Sequence, residues 1–225
     1  MQPLLNLWDS TIGKKIVMAV TGLIIFGFVI GHMAGNLLIF LGPDVFNGYA
    51  HTLKGNALLL WGTRLTLLAV IPLHIVSAIQ LVRRNAGARD TSYGATEYKR
   101  STVASRFMKV GGMFLLAFIL LHLAHYTLHW THPEFASLQT AGGHDAYKMV
   151  ILGFSDPLYV GVYLVAMVCL FLHLDHGAWS LLQTLGLFAR PDQQDGRKKF
   201  ARTFAAVLFI GFSIVPIAVL TGLVS

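Results

Sequence analysis

Apolar and polar positions along the chain fall into five long apolar runs separated by polar, charge-bearing connections. The runs extend from about Lys14 to Leu41, Leu58 to Val82, Lys109 to Trp130, Pro157 to Leu185 and Thr203 to Val224. Each meets the roughly 20 residues that an α-helix needs to cross a bilayer. Only Arg64 and Asp175 put a formal charge well inside a run. Asp156-Pro157 reads as an N-cap and first-turn proline for the fourth helix. Pro72 and Pro216 fall inside the second and fifth, where kinks are expected. No internal repeat or low-complexity segment breaks the pattern. The prediction is an all-α integral membrane bundle of five transmembrane helices, a single domain over residues 1–225.

Composition agrees with that reading. Of 225 residues, 55% are apolar and 12% charged, with a mean hydropathy of +0.64. A soluble domain carries about 25% charged residues, so an ordinary soluble enzyme, a disordered chain and a coiled coil are excluded. The net charge of +7 and pI of 9.7 would raise nucleic-acid binding in a soluble protein. Here the cations lie between apolar runs and report topology instead, so no nucleic-acid partner is expected. Lys14 and Lys15 precede the first run. Arg83, Arg84, Arg89, Lys99, Arg100, Arg106 and Lys109 follow the second, and Arg190, Arg197, Lys198, Lys199 and Arg202 follow the fourth. The two opposite loops hold only Lys54 and Lys148. The positive-inside rule then puts the N-terminus inside and the C-terminus outside, with Trp8 and Trp179 at the inner interface and Trp61 and Trp130 at the outer. The run from Ile16 to Leu41 is too long for the apolar core of a signal peptide and reads as a retained helix. With Cys169 the single cysteine, no disulfide, Cys-Cys zinc site or Cys-x-x-Cys-His haem attachment is available.

The ten histidines, matched by only ten acids, carry the chemistry. A histidine in lipid is costly without a partner. Four runs hold one near mid-membrane: His32, His74, His122 and His173. At 1.5 Å per residue, His32 and His122 lie about 5–8 Å to the outer side of their helix midpoints, and His74 and His173 about 5 Å to the inner side. The four sort into two pairs at two depths, each drawn from separate helices. That is what two bis-histidine haems stacked across a membrane require, because an octahedral haem iron takes one axial nitrogen from each side. A lone membrane histidine is equally well explained by an interhelical hydrogen bond; two matched tiers are not. Gly27, Gly31 and Gly35, with Gly177 one turn after His173, form grooves for a macrocycle or for close helix packing.

The remaining candidates are more open. His125, His129 and His132 continue the face of His122 as a proton-conducting or quinone-binding column, in which His125 would meet a quinone or haem propionate, or as a hydrated helix end. His125 rivals His122 as a ligand, and His176 rivals His173; in each case the earlier residue is better centred. His51 and His144 fall in outer loops and are expected to face solvent. Arg64 would pair with a haem propionate or a quinone carbonyl, or snorkel to lipid phosphate. Asn36 would bond a quinone or cap its helix. Asp175 and His176 stand beside His173 as a supporting shell or proton carrier.

Thr21-Gly22, Gly31-His32-Met33, Leu73-His74, Leu121-His122, Leu172-His173 and Gly177-Ala178-Trp179-Ser180 together resemble the cytochrome b membrane anchor of succinate dehydrogenase. More narrowly, the chain is similar to the single-polypeptide, five-helix, two-haem anchors of bacterial succinate:quinone oxidoreductases, a class shared with some fumarate reductases. The resemblance covers nearly the whole chain. It implies that His32 and His122 ligate the outer (distal) haem b iron, and that His74 and His173 ligate the inner (proximal) one. It implies an iron–sulfur subunit and a flavoprotein subunit as partners, and menaquinone or another quinone as electron acceptor. The chain would sit in the bacterial cytoplasmic membrane among lipid. It would have no activity toward succinate alone but would contribute the quinone-reduction site. The basic loop from Arg83 to Lys109 is the expected docking surface, with anionic lipid as a second use. Some two-haem fumarate reductases carry a membrane glutamate near the fourth-helix ligand. No span here has one, and Asp175 is the sole acid two residues past His173.

Two other readings compete. A dihaem cytochrome b of a nitrate reductase, formate dehydrogenase or hydrogenase would keep the histidines and change the soluble partner. A transporter with metal-binding or proton-relaying histidines would hold no pigment and need no matched tiers.

Overall fold

The computed structural model describes residues 9–87, 102–187, 190 and 193–225. Trp8, Arg89, Lys99 and Arg100 lie outside the described residues. The chain is about 85% helical, and five of its helices are long and apolar enough to cross a membrane. These spans are α1 (Thr11–Leu37, extended by a 3-10 turn Leu38–Leu41), α3 (Ala57–Gly87), α4 (Val103–Tyr126), α6 (Pro157–Thr184) and α7 (Gln194–Leu220). Two shorter helices complete the molecule, α2 (Pro43–Gly55) and α5 (Ala146–Phe154), together with a two-stranded hairpin of β1 (Gln139–Thr140) and β2 (Gly143–His144).

Helix starts follow local chemistry. Free N–H groups of the first turn need acceptors. Ser10 takes Gly13 N at 2.8 Å, Thr102 takes Ser105 N at 3.1 Å, Asp145 takes Lys148 N at 2.9 Å, and Asp156 takes Leu158 N at 2.8 Å. Proline opens both α2 and α6. Gly42, at φ +93°, turns the chain from the 3-10 segment into α2, a conformation that a side chain would disfavour. Helices α3 and α7 continue through Pro72 and Pro216.

Two expected boundaries move. The third span is set more than one turn toward the N-terminus: α4 begins at Val103 and ends at Tyr126, not at Lys109 and Trp130. There the chain doubles back, with Leu128 N bonding Leu123 O at 2.8 Å and Trp130 N bonding Ala124 O at 2.8 Å. His129 adopts φ +53° to allow it. The fifth span likewise begins earlier, at Gln194, and carries Arg197 within its first turns.

The spans pack unequally. The closest neighbours are α6 with α7, α4 with α6, and α1 with α3, while α1 also touches α6 and α7. Within the most apolar window of each span, 39% of residues are buried in α7 but only 6% in α4. Leu58, Leu68 and Val165 are among many exposed large apolar side chains, as expected of surfaces facing lipid rather than water. The main core lies at the loop-rich end, where Ile39, Phe46, Phe135, Phe154, Val160 and Val219 pack under α2 and α5. Leu174, Ala205 and Leu208 form a smaller core between α6 and α7.

Candidate functional site

Four spans deliver the four central histidines, and the bundle brings them together in twos. His32 on α1 faces His122 on α4 across a ring-centre separation of 5.7 Å, with the rings at 78°. His74 on α3 faces His173 on α6 at 6.5 Å and 58°. Each pair joins helices that run in the same sense, the first and third spans for one and the second and fourth for the other. Among the described residues, no group of three or more His, Cys, Asp or Glu side chains is placed to hold a metal ion.

Each pair has its own surroundings. At the first, Phe28 and Phe212 flank His32, and Phe118 flanks His122. The Tyr163 hydroxyl on α6 lies 3.2 Å from His122 Nδ1 and 3.1 Å from His125 Nδ1, bridging the two rings. At the second pair, Thr21 Oγ1 lies 3.1 Å from His74 Nδ1 and donates to Val17 O at 2.7 Å. Gly22 adjoins the same ring, and a Cβ there would make an ordinary contact with His74 Cε1 at 3.6 Å. His173 Nδ1 is buried without a hydrogen-bond partner.

The other expected residues divide. His125 is fully buried and stacks on Tyr126 at 4.1 Å, with Tyr159 at 4.3 Å and His132 at 4.9 Å. Its Nε2 and the neighbouring Tyr126 hydroxyl are buried polar atoms without partners. The column of His125, His129 and His132 is therefore not a helix face. His132 returns to His125 through the turn, while His129 stacks with His144 at 5.7 Å. His176 packs against Trp179, and Asp175 pairs with Arg202 at 3.5 Å while also interacting electrostatically with His176. Asn36 bonds its own helix at His32 O, 2.7 Å away. Arg64 is exposed and lies over the Trp61 ring at 5.3 Å. His51 and His144 are half-buried rather than solvent-facing. His51 Nε2 donates to His144 O at 2.9 Å, which ties α2 to the hairpin. The glycine stripe is not uniform: an added Cβ meets nothing at Gly27, Gly31 or Gly177 but collides with the Tyr49 ring at Gly35.

Tyr163 and Arg197 carry interactions that periodicity did not single out. A hydroxyl in the middle of an apolar run was the available signal for Tyr163, because lipid offers it no partner. Arg197 is buried with its guanidinium 5.2 Å from the Trp179 ring centre, and its Nε lacks a partner. Near the same basic end, Asp9, Lys14, Gln80, Arg83 and Arg84 line a cavity of about 290 Å³. A second, apolar groove of about 560 Å³ runs between α4 and α6, lined by Phe114, Phe118, Leu121, Gly161, Val165 and Cys169 among others.

Comparisons with protein-family models, with curated proteins and with solved structures find no match.

Proposed function

We propose that the chain is a membrane anchor and electron-transfer subunit that holds two b haems, each between one histidine pair, and passes electrons to a quinone. The observation that carries this reading is the pairing of four histidines from four helices into two facing sets. Two metal–imidazole bonds of about 2 Å each put the ring centres of an axial pair roughly 6 Å apart. The separations of 5.7 and 6.5 Å bracket that value. Residues outside the pairs also suit the group. The open space at Gly27, Gly31 and Gly177 and the sparse burial of α4 leave room beside the rings. Arg197, buried with an unused N–H, is a cation for a propionate at the basic end, better enclosed than Arg64.

Bound there, the haems would supply one-electron chemistry at two depths. The protein's own share is orientation and the exclusion of water. His32, His74, His122 and His173 present nitrogen donors, and the surrounding aromatic and aliphatic side chains keep those donors in a low dielectric. Near the His32–His122 pair, His125 Nε2 and the Tyr126 hydroxyl offer unmet hydrogen-bonding capacity of the kind that a quinone carbonyl satisfies. The apolar groove against Phe118 suits an isoprenoid tail. Positive-inside topology would put the basic end in the cytoplasm, facing the partner subunits.

Within that reading, the resemblance favours a succinate:quinone oxidoreductase over other dihaem cytochromes b. The inner loops are too short to fold around a flavin or an iron–sulfur cluster, so succinate chemistry belongs to partners. Purifying the tagged chain from its native membranes tests the assignment. An iron–sulfur protein and a flavoprotein should co-purify, and succinate should reduce the haems. Co-purification with a different dehydrogenase, and haems reduced by its substrate instead, would replace this assignment with the second reading.

A further inference from the structure

We infer that Thr21 and Tyr163 are positioning residues, each fixing the proton of one axial histidine and thereby setting the potential of one haem independently of the other. The inference rests on the two-haem reading above, but its argument is hydrogen-bond accounting within this chain. A threonine hydroxyl has one proton. Thr21 directs it to the Val17 carbonyl at 2.7 Å, with Met18 O at 3.2 Å. Toward His74 the Thr21 oxygen can then only accept. His74 Nδ1 therefore carries the proton, and Nε2 is left with its lone pair free for a metal. The Thr21 hydroxyl oxygen and the Met18 carbonyl are both acceptors at the His74 ring, and the Nδ1–H tautomer that Thr21 requires is the one that ligation through Nε2 needs.

The outer pair is built differently. The Tyr163 hydroxyl also has one proton but two imidazole neighbours, at 3.2 and 3.1 Å. With His122 ligating through Nε2, its Nδ1–H donates to the Tyr163 oxygen. The phenol O–H then donates its hydrogen bond to His125 Nδ1. His125 becomes the Nε2–H tautomer, and that N–H is the buried atom without a partner. One set of proton placements thus accounts for all three side chains. A hydrogen bond from the distal nitrogen of an axial imidazole increases its basicity and favours ferric over ferrous iron. Both residues therefore lower the potential of the haem they serve.

The test is a redox titration of the purified protein, followed in the b-type absorbance, for wild type, Thr21→Val, Thr21→Ser and Tyr163→Phe. Thr21→Val should raise the midpoint of one haem, Tyr163→Phe that of the other, and the unmoved haem in each variant reports intact folding. Thr21→Ser, which keeps the hydroxyl, should titrate as wild type. Both substitutions moving the same haem, neither moving any, or Thr21→Ser behaving as Thr21→Val would overturn the inference. Absence of haem from the wild-type protein would instead overturn the functional reading on which it rests.

Discussion

At the scale of single residues, the four central histidines are distinguished from the other six by having a partner ring from another span at a distance that one iron could bridge. His125 shows why sequence position alone left a choice. It is as buried as any ligand candidate, but its ring packs against Tyr126 and Tyr159 and against His132 of the following turn, with no imidazole from another span facing it. His176 is likewise turned toward Trp179. The substitutions that separate the tiers are His74→Ala and His32→Ala. Each should remove one of two haems and leave the absorbance of the other, as measured by haem content and reduced-minus-oxidised spectra. Substitution of His176 should leave the haem count at two, because its ring faces an indole rather than a second imidazole. If His176→Ala removed a haem and His173→Ala did not, the inner ligand would have to be reassigned.

At the scale of elements, α2, α5 and the hairpin form a cap over the loop-rich end. Asp145 holds this cap by two acceptor roles, capping α5 through Lys148 N and taking Asn47 Nδ2 at 3.0 Å. Asn47 in turn accepts from Tyr147 N at 2.9 Å. Losing a cap costs about 0.5–2 kcal/mol, and stranding a buried amide donor adds about 1–3 kcal/mol. Asp145→Ala should therefore destabilise the protein by about 1.5–5 kcal/mol, read as a lower thermal midpoint with amide exchange rising first in residues 43–55 and 139–154. The cap should also respond to pH. Burial, then the nearby Lys54 and His129, push the His144 imidazole below its ordinary 6.5, only partly opposed by the Leu138 carbonyl and Asp145. The unfolded chain then binds the extra proton more readily than the folded one, so stability is full above 6.5 and falls as pH drops toward the folded value. Amide protection in the cap, corrected for intrinsic exchange, should decline over that window, and His144→Gln should flatten the decline. The sequence made the five spans and the Asp156-Pro157 start legible, because each is a local pattern of length or capping. The end of α4 was not legible: it depends on a left-handed His129, a residue with no strong preference for that conformation. The helices α2 and α5 were read as loops because each is short and stabilised by packing on the other and on the neighbouring spans.

At the scale of the whole molecule, burial is lopsided. The fourth and fifth spans and the cap form a conventional packed core, while α1, α3 and α4, which carry three of the four central histidines, have little protein around them. That lopsidedness is why sequence could specify which helices carry the facing histidines but not how completely they enclose the space between them. The basic end adds the second global feature. Arg197 with its unused N–H and the cavity beside Lys14, Arg83 and Arg84 gather cationic character where the tier of His74 and His173 lies nearest. The central claim is that two haems fill the two histidine pairs, and the most direct measurement is the haem-to-polypeptide ratio of the purified full-length chain, with its reduced-minus-oxidised spectrum. The account predicts two non-covalently bound b-type haems per chain, both low-spin with two histidine ligands. A folded, full-length protein that is colourless would contradict it.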